Sequence, residues 1–453
     1  MEVISEQHTD FARALGKVEA SYRRRHPNSE QRQALAARHM AGGNTRSVLY
    51  YSPFPLAWHS GRGNRLTDID GLDYLDLLGE YSAGLYGHSN AIVNGAIKRA
   101  IDDGTVLGGP NRYEASLAEA ICTRFPSMDL VRFTNSGTEA NLLALSLARL
   151  AASGRRRVMV FDGAYHGGVL DFRSGGSALN IPFDWIIGRY NDLEGVRSLF
   201  TAYAETLAAV IVEPMLGGGC IPGTAPFLQL LREQTSRYGS ALIFDEVMTS
   251  RLAPNGLQGA IGIEPDLTTI GKYVGGGTNF GAFGGRRQLM ERFDPSRSDS
   301  LAHSGTFNNN VLTMAGGLAG LTEVFTPAEA VRLNQLGDRL RDRLNADARR
   351  RRAPFMATGV GSMLGFHFMD YTAPLLRPPT YTAAATRAQR SIEMLFHLEL
   401  LEQGFHFARR GYIALSLPTI EADCDGFASA VDAFFAARGD LLRATIEAAN
   451  SEN

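Results

Sequence analysis

Apolar residues Phe11, Leu15, Val18 and Tyr22 recur at helical spacing, which predicts a surface helix over residues 5–25 with Arg23-Arg24-Arg25 as its solvated end. The pattern changes between residues 42 and 90. Gly42-Gly43-Asn44 is a turn signal, Val48-Leu49-Tyr50-Tyr51 reads as a strand ended by Pro53, and Leu66 to Leu78 reads as a hairpin turning at Asp70-Gly71. From about residue 91 to 345, continuous apolar runs alternate with helical stretches. Three of these runs lead into a carboxylate: Val158–Phe161 into Asp162, Ala209–Val212 into Glu213, and Ala241–Phe244 into Asp245. Fully apolar strands between helices indicate an α/β fold with a parallel sheet covered on both faces, where ligands bind at the carboxyl ends of the strands. After residue 346 the pattern becomes α+β, with strands expected at Gly359–Phe368 and Gly411–Leu417 and a final helix at Asp425–Phe435. Arg349–Arg352 reads as a solvated charge cluster. The expected division is 1–90, 91–345 and 346–453, the first and last parts pairing into one small domain around a large central one.

Composition narrows the class. A chain of 453 residues exceeds what one hydrophobic core sustains, which suits two or three domains. A net charge of −2 gives no reason to expect nucleic acid or an anionic membrane as partner. Cys122, Cys220 and Cys424 are widely separated, without a CxxC pair or metal-ligand spacing, so no metal is expected and a reducing compartment fits. The first residues lack a basic start followed by an apolar run, and no window is apolar for long enough to span a bilayer, so the expected location is cytoplasmic.

Four segments carry candidate chemistry. In Thr134–Asn141, Ser136, Gly137 and Thr138 open a helix, where free N–H groups and a small residue suit a phosphate; the same residues also read as an ordinary N-cap, and on this motif alone the two readings weigh evenly. Asp245 ends a buried strand, where it can face a cationic ring nitrogen or simply cap the next segment, while Glu246 reads as structural or solvent-facing. Lys272 follows an apolar stretch and precedes Gly275-Gly276-Gly277. Most lysines are solvated, but an amine in a tight buried loop loses its proton more readily and suits attack on an aldehyde. Tyr165, in Gly163–Gly168, can stack on an aromatic cofactor or serve as a core residue, and His166 reads as structural at least as well as catalytic.

In this order the four segments resemble the class III aminotransferases of the type I pyridoxal-phosphate (PLP) fold. Pro265–Lys272 with Gly281–Gly285 resembles in particular the glutamate-1-semialdehyde aminomutases, and the resemblance runs from about residue 40 onward. Thr45–Tyr50, Glu80–His88, Asp245–Leu252, His303–Asn310 and Arg410-Gly411-Tyr412 before Leu415–Pro418 resemble the branch that acts on aromatic, β-phenylalanine-like β-amino acids.

The resemblance implies a large domain with a mostly parallel seven-stranded sheet. Lys272 would carry PLP as the internal aldimine and shuttle protons. Asp245 would pair with the ring nitrogen, Tyr165 and Val247 would cover the two ring faces, and Ser136, Gly137 and Thr138 would bind the phosphate. Thr306 of a neighbouring subunit would complete that phosphate site, so the active sites would be shared in a homodimer. Glu213 matches an acidic family position at a strand end. The implied reaction is ping-pong transfer of an amino group from a β-amino acid to an α-keto acid such as 2-oxoglutarate or pyruvate. A β-amino acid and an α-keto acid present their carboxylates at different places, and two arginines can grip them separately. Arg46 would hold the first and Arg410 the second, with Tyr81, Val48 and Tyr86 lining the side-chain pocket.

Two departures stand out. Ile413–Pro418 occupies the stretch where many relatives carry an arginine before a Pro-Pro pair, and Leu216 stands where many carry a glutamine. The competing readings are an aminomutase or racemase on the same scaffold and a non-catalytic PLP-binding regulator. The first is lowered by the absence of a proline-rich, phenylalanine-containing C-terminal stretch, the second by the absence of a basic appended domain.

Overall fold

The structure, a computed structural model, describes residues 2–369, 374–380 and 382–451, with side chains from residue 10 onward. The amphipathic N-terminal stretch forms the helix Glu2–Arg25, which buries Phe11, Ala14, Val18 and Tyr22 against the helices Ala383–Glu402 and Glu421–Ser451. Strands β1 (Trp58–Arg62), β2 (Arg65–Asp68) and β3 (Asp73–Asp76) form an antiparallel meander. Its expected Asp70-Gly71 turn is present, with Gly71 at φ 86° and Asp68 Oδ1 accepting from the N–H groups of Asp70 and Leu72.

The central sheet contains β4 (Leu130–Thr134), β5 (Arg157–Phe161), β6 (Trp185–Gly188) and β7 (Leu207–Val212). A short hairpin, β8 (Met215–Leu216) and β9 (Ile221–Pro222), follows outside it. The sheet resumes with β10 (Ala241–Asp245), β11 (Leu267–Gly271) and β12 (Gly281–Gly285). Its seven strands run in the order β4-β12-β11-β10-β7-β5-β6. Only β12 opposes its neighbours, so this is the mostly parallel seven-stranded sheet that the resemblance implied. Residues after β4, β5, β7, β10 and β11 therefore emerge at one edge: Ser136, Tyr165, Glu213, Asp245 and Lys272 are gathered there by strand direction. The helix Gly137–Ala151 buries Ala140, Ala144, Leu145 and Ala148 against the sheet.

The rest of the chain carries β13 (Met356–Val360), β14 (Met363–His367), β15 (Phe405–His406) and β16 (Tyr412–Ala414). β13, β14 and β16 make an antiparallel sheet, while β15 pairs parallel with β3.

Several elements differ from expectation. Val48–Tyr51 is not a strand: Ser47–Leu49 makes a 3-10 turn, with Leu49 N–H donating to Arg46 and Tyr50 N–H to Ser47. Val48 and Tyr50 are exposed and the segment has no partner strand, so β propensity is not realised. Gly359–Phe368 is a hairpin rather than one strand, because Gly361 at φ 56° reverses the chain. The expected strand at Gly411–Leu417 is confined to Tyr412–Ala414, and the final helix extends over Glu421–Ser451. Arg350 and Arg351 of the charge cluster both pair with Asp432.

Candidate active site

A cleft of about 400 Å³ opens at the common strand edge. It is lined by Arg46, Tyr81, Ser136, Gly137, Thr138, Tyr165, Glu213, Asp245, Val247 and Lys272, which are separated by up to 226 positions in the chain.

One end of the cleft is built by the start of the helix Gly137–Ala151. Ser136 is its N-cap and accepts from Glu139 N–H at 3.2 Å. Helix geometry leaves the N–H groups of Gly137 and Thr138 without intrahelical acceptors, facing the cleft that both residues line. Gly137 has no room for a side chain, since an added Cβ would lie 2.7 Å from Val247 Cγ2. Val247 is held over the cleft by its own N–H, which donates to Asp245 Oδ1 at 3.0 Å.

Asp245 is buried and accepts on Oδ2 from Asn141 Nδ2 at 2.8 Å, with His166 Nδ1 2.7 Å away on the same oxygen. Asn141 also donates to the His166 carbonyl and accepts from Thr269 Oγ1 at 2.6 Å. Neither Asn141 nor this use of His166 emerged from the sequence. The available signal was spacing: Asn141 lies one helical turn after Gly137, on the same face. Glu246, beside them, is wholly buried and accepts from Leu257 N–H, Gln258 N–H and Thr249 Oγ1.

Lys272 opens a tight turn at the end of β11 with φ 56°, a conformation that costs a non-glycine residue roughly 1–2 kcal/mol. Burial lowers its pKa from the usual lysine value, opposed by the carboxylates of Asp245 and Glu213. Tyr165 leaves 39% of its surface exposed at the cleft, with Arg173 Cζ 4.6 Å from its ring centroid. Its backbone N–H donates to Glu213 Oε2 at 2.9 Å, and Gly217 N–H donates to Glu213 Oε1 at 2.9 Å. Burial pushes the Glu213 carboxyl up to about 7.

On the opposite side Arg46 pairs with Glu80, and its Cζ lies 5.4 Å from the Tyr81 ring centroid. Arg410 Cζ lies 5.5 Å from the same ring. Arg410 has no ion-pair partner among the described residues, and its Nε is buried without a hydrogen bond. Tyr81 sits in a turn, Gly79–Ser82, whose four residues all have positive φ: 52°, 48°, 53° and 77°.

Four candidates do not line the cleft, Arg410 beside Tyr81 and three more. Tyr86 does not line the cleft: it is buried in the core, 6.3 Å from Tyr273 between ring centroids, because the chain turns inward after Ser82. Val48 lines an adjoining cavity of about 350 Å³ together with Tyr81 and Trp58. Thr306 is exposed on the 301–310 loop, outside the cleft of its own chain.

The class III aminotransferase family matches residues 49–177 and 184–388 of this chain. The chain belongs to the class III aminotransferases. The β-phenylalanine transaminase of Variovorax paradoxus is 46% identical over 436 residues, covering 96% of this chain and 99% of the relative. A crystal structure of a β-phenylalanine aminotransferase from that organism superimposes with a TM-score of 0.90 at 44% identity, covering 95% of this chain and 98% of the other. A glutamate-1-semialdehyde 2,1-aminomutase of Brevibacillus brevis is 37% identical over 395 residues, covering 83% of this chain and 90% of the relative.

This aminotransferase is a PLP-dependent enzyme, and its cleft fits that cofactor. Free N–H groups at a helix start suit the phosphate, a buried carboxylate suits the ring nitrogen, an exposed tyrosine ring suits stacking, and a buried amine suits the aldehyde. Arg46 and Arg410 of the aminotransferase both fall outside the spans that define the family match.

Proposed function

We propose that this aminotransferase moves the amino group of an aromatic, β-phenylalanine-like β-amino acid to an α-keto acid such as 2-oxoglutarate or pyruvate in two ping-pong half-reactions. The observation that carries this reading is the approach of two arginines, Arg46 and Arg410, to one ring, Tyr81, beside the cleft that holds Lys272. A β-amino acid bears its carboxylate one carbon further from the amine than an α-amino acid does, so one fixed cation cannot serve both substrates. Arg46 takes the β-amino acid carboxylate in place of Glu80, and Arg410, which has no ion-pair partner among the described residues, takes the keto acid carboxylate. The 46% identity with a β-phenylalanine transaminase supports the same donor class.

PLP, when bound, supplies an aldehyde that captures the amine and a ring that absorbs the electron pair released at the substrate carbon. Asp245, oriented by Asn141 and His166, holds positive charge on the ring nitrogen. Lys272 Nζ, eased toward its neutral form by burial, would hold the cofactor at rest and carry the proton during turnover. Tyr165 and Val247, which both line the cleft, would hold the cofactor ring between them. Ser136, Gly137 and Thr138 receive the phosphate.

Thr306 is assigned to the phosphate end of a second copy's cleft, because it is exposed and lies outside its own. The chain then works as a homodimer. Tyr81 lines the donor side-chain pocket, with Val48 in the cavity behind it. The division into 1–90, 91–345 and 346–453 is supported by the pairing of β15 with β3, which joins the two ends of the chain.

The test is a panel of α- and β-amino donors with 2-oxoglutarate and pyruvate, following amine transfer. Aromatic β-amino acids should head the donor list. Conversion of a donor into its isomer without added keto acid would overturn the transaminase reading in favour of an aminomutase or racemase.

A further inference from the structure

Among the described residues, the largest wholly buried side chain is a charged one, Arg251, at 0% exposure. It has no ion-pair partner among the described residues, although burial of a guanidinium ordinarily calls for one. Its donors go to two backbone carbonyls on separate segments. Nη1 donates to Ser82 at 3.4 Å, and Nη2 donates to Leu415.

Both segments belong to the substrate side of the cleft. Ser82 ends the left-handed turn that carries Glu80, the partner of Arg46, and Tyr81. Leu415 follows β16, whose Tyr412 stacks on Tyr81 with centroids 5.6 Å apart and planes 16° from parallel. A further circuit secures the arginine. Its carbonyl accepts from Asn334 Nδ2 at 2.9 Å, Asn334 Oδ1 accepts from Ser362 N–H at 2.8 Å, and the Ser362 carbonyl accepts from Leu415 N–H at 2.9 Å. Arg251 itself ends the short turn Thr249–Arg251, six residues after Asp245.

We infer that Arg251 is a positioning residue for substrate recognition. It clamps the left-handed turn Gly79–Ser82 to the end of β16, and so sets where Tyr81 stands between Arg46 and Arg410. Three consecutive non-glycine residues with positive φ do not hold that shape by local preference; Gly79 N–H donates to Asp76 Oδ1 at 3.1 Å, Tyr81 N–H to Leu78 at 3.1 Å, Ala83 N–H to Glu80 at 3.2 Å and Gly84 N–H to Gly79 at 2.8 Å, but among the described residues none of these bonds reaches the Ser82 carbonyl. Backbone bonds from Ala414 N–H to Leu77 at 2.7 Å and from Leu417 N–H to Leu85 at 2.8 Å fasten the segments flanking the turn, and Arg251 adds the donor on the Ser82 carbonyl inside it. Two separate nitrogens of one planar guanidinium meet the two carbonyls, a fixed spacing that the single ammonium nitrogen of lysine does not reproduce. Burial pulls the guanidinium pKa down to about 10, which still leaves it charged at neutral pH.

This inference rests on the reading that Arg46 and Arg410 receive carboxylates, and the test separates the two. Holoenzyme of Arg251→Lys should keep its cofactor absorbance. Its KM should rise about tenfold for both the β-amino acid and the keto acid, the loss of one hydrogen bond to a charged group, with kcat little changed. Its half-reaction with a benzylic amine that lacks a carboxylate should proceed as in the wild type. Adding Ser82→Gly, which removes the strain at φ 77°, should bring KM back toward the wild-type value. Unchanged KM in Arg251→Lys, an equal loss with the carboxylate-free amine, or no recovery on adding Ser82→Gly would each overturn the clamp. Should Arg251→Lys fail to yield holoenzyme, Asn334→Ser opens the same circuit, and an unchanged KM there would overturn it. If Arg46→Lys and Arg410→Lys leave carboxylate KM values unaltered, the functional reading fails; if they raise them while Arg251→Lys does not, only the clamp fails.

Discussion

His166 Nδ1 lies 2.7 Å from Asp245 Oδ2, and the other ring nitrogen, Nε2, is buried without a hydrogen-bond partner among the described residues. The histidine is therefore committed to Asp245, whose carboxylate it orients together with Asn141. Replacing it by alanine removes a charge-assisted hydrogen bond and leaves Asn141 as the remaining side-chain donor. His166→Ala should lower turnover about 10- to 100-fold and weaken cofactor retention. Steady-state rates with saturating PLP, and dialysis of the loaded enzyme, check both. Full retention of activity would make His166 a packing residue only.

Lys272→Ala should remove the covalent link to the cofactor along with the proton carrier. The variant should lack the visible absorbance of the lysine-bound form and show no measurable turnover. Wild-type activity in this variant would refute the assignment of the lysine.

Arg46→Ala should weaken the half-reaction with the β-amino acid more than that with the keto acid, and Arg410→Ala should do the reverse. A lost charge-assisted grip corresponds to about 10- to 100-fold in substrate affinity. Stopped-flow measurement of the two half-reactions separates them. Equal losses in both would contradict the division of labour.

Glu80 occupies Arg46 with a half-exposed ion pair, of a kind that contributes at most about 1 kcal/mol. Glu80→Gln should free the guanidinium and lower KM for a β-amino acid by up to about fivefold. An increase in KM would show instead that Glu80 holds Arg46 in its working position.

Glu213 titrates near 7 when folded, because burial disfavours its charged form, and in the ordinary glutamate range when unfolded. Between those limits the folded protein holds a proton that the unfolded chain has released. The stability contributed by this group is present in full below the unfolded range and is lost as pH rises through about 7. Glu213→Gln has no such proton. Thermal denaturation of the cofactor-free proteins from about pH 4.5 to about pH 8 should show the wild type losing stability relative to the variant across this window. Parallel curves would contradict the raised titration.

How much was legible in the chain depended on the range of the interactions concerned. Lys272 after an apolar strand, Asp245 at the end of another, and Ser136-Gly137-Thr138 opening a helix are local signals, since strand, cap and turn preferences act over a few residues. Their gathering at one edge follows from parallel strand direction, which the apolar runs already implied. The Val48–Tyr51 segment is not the expected strand because an apolar and aromatic run needs a partner strand, and no local pattern reports whether one arrives. Tyr86 was misplaced for a related reason: the left-handed turn at Gly79–Ser82 redirects the chain, and nothing in Glu80-Tyr81-Ser82 as residue types demands positive φ.

The amino-acid sequence thus determined the fold class, because hydrophobic periodicity is short-range, and it offered candidate residues for a cofactor that the family resemblance, rather than any single motif, singled out. Only the tertiary structure decided what surrounds those residues. It brought Asn141 and His166 to Asp245, turned Glu213 toward the backbone of Tyr165, and set Arg46 and Arg410 against one ring. It also buried Arg251 between two carbonyls 333 positions apart. Distances between side chains far apart in the chain are fixed by packing of the whole core, and packing is a property that no stretch of sequence holds alone.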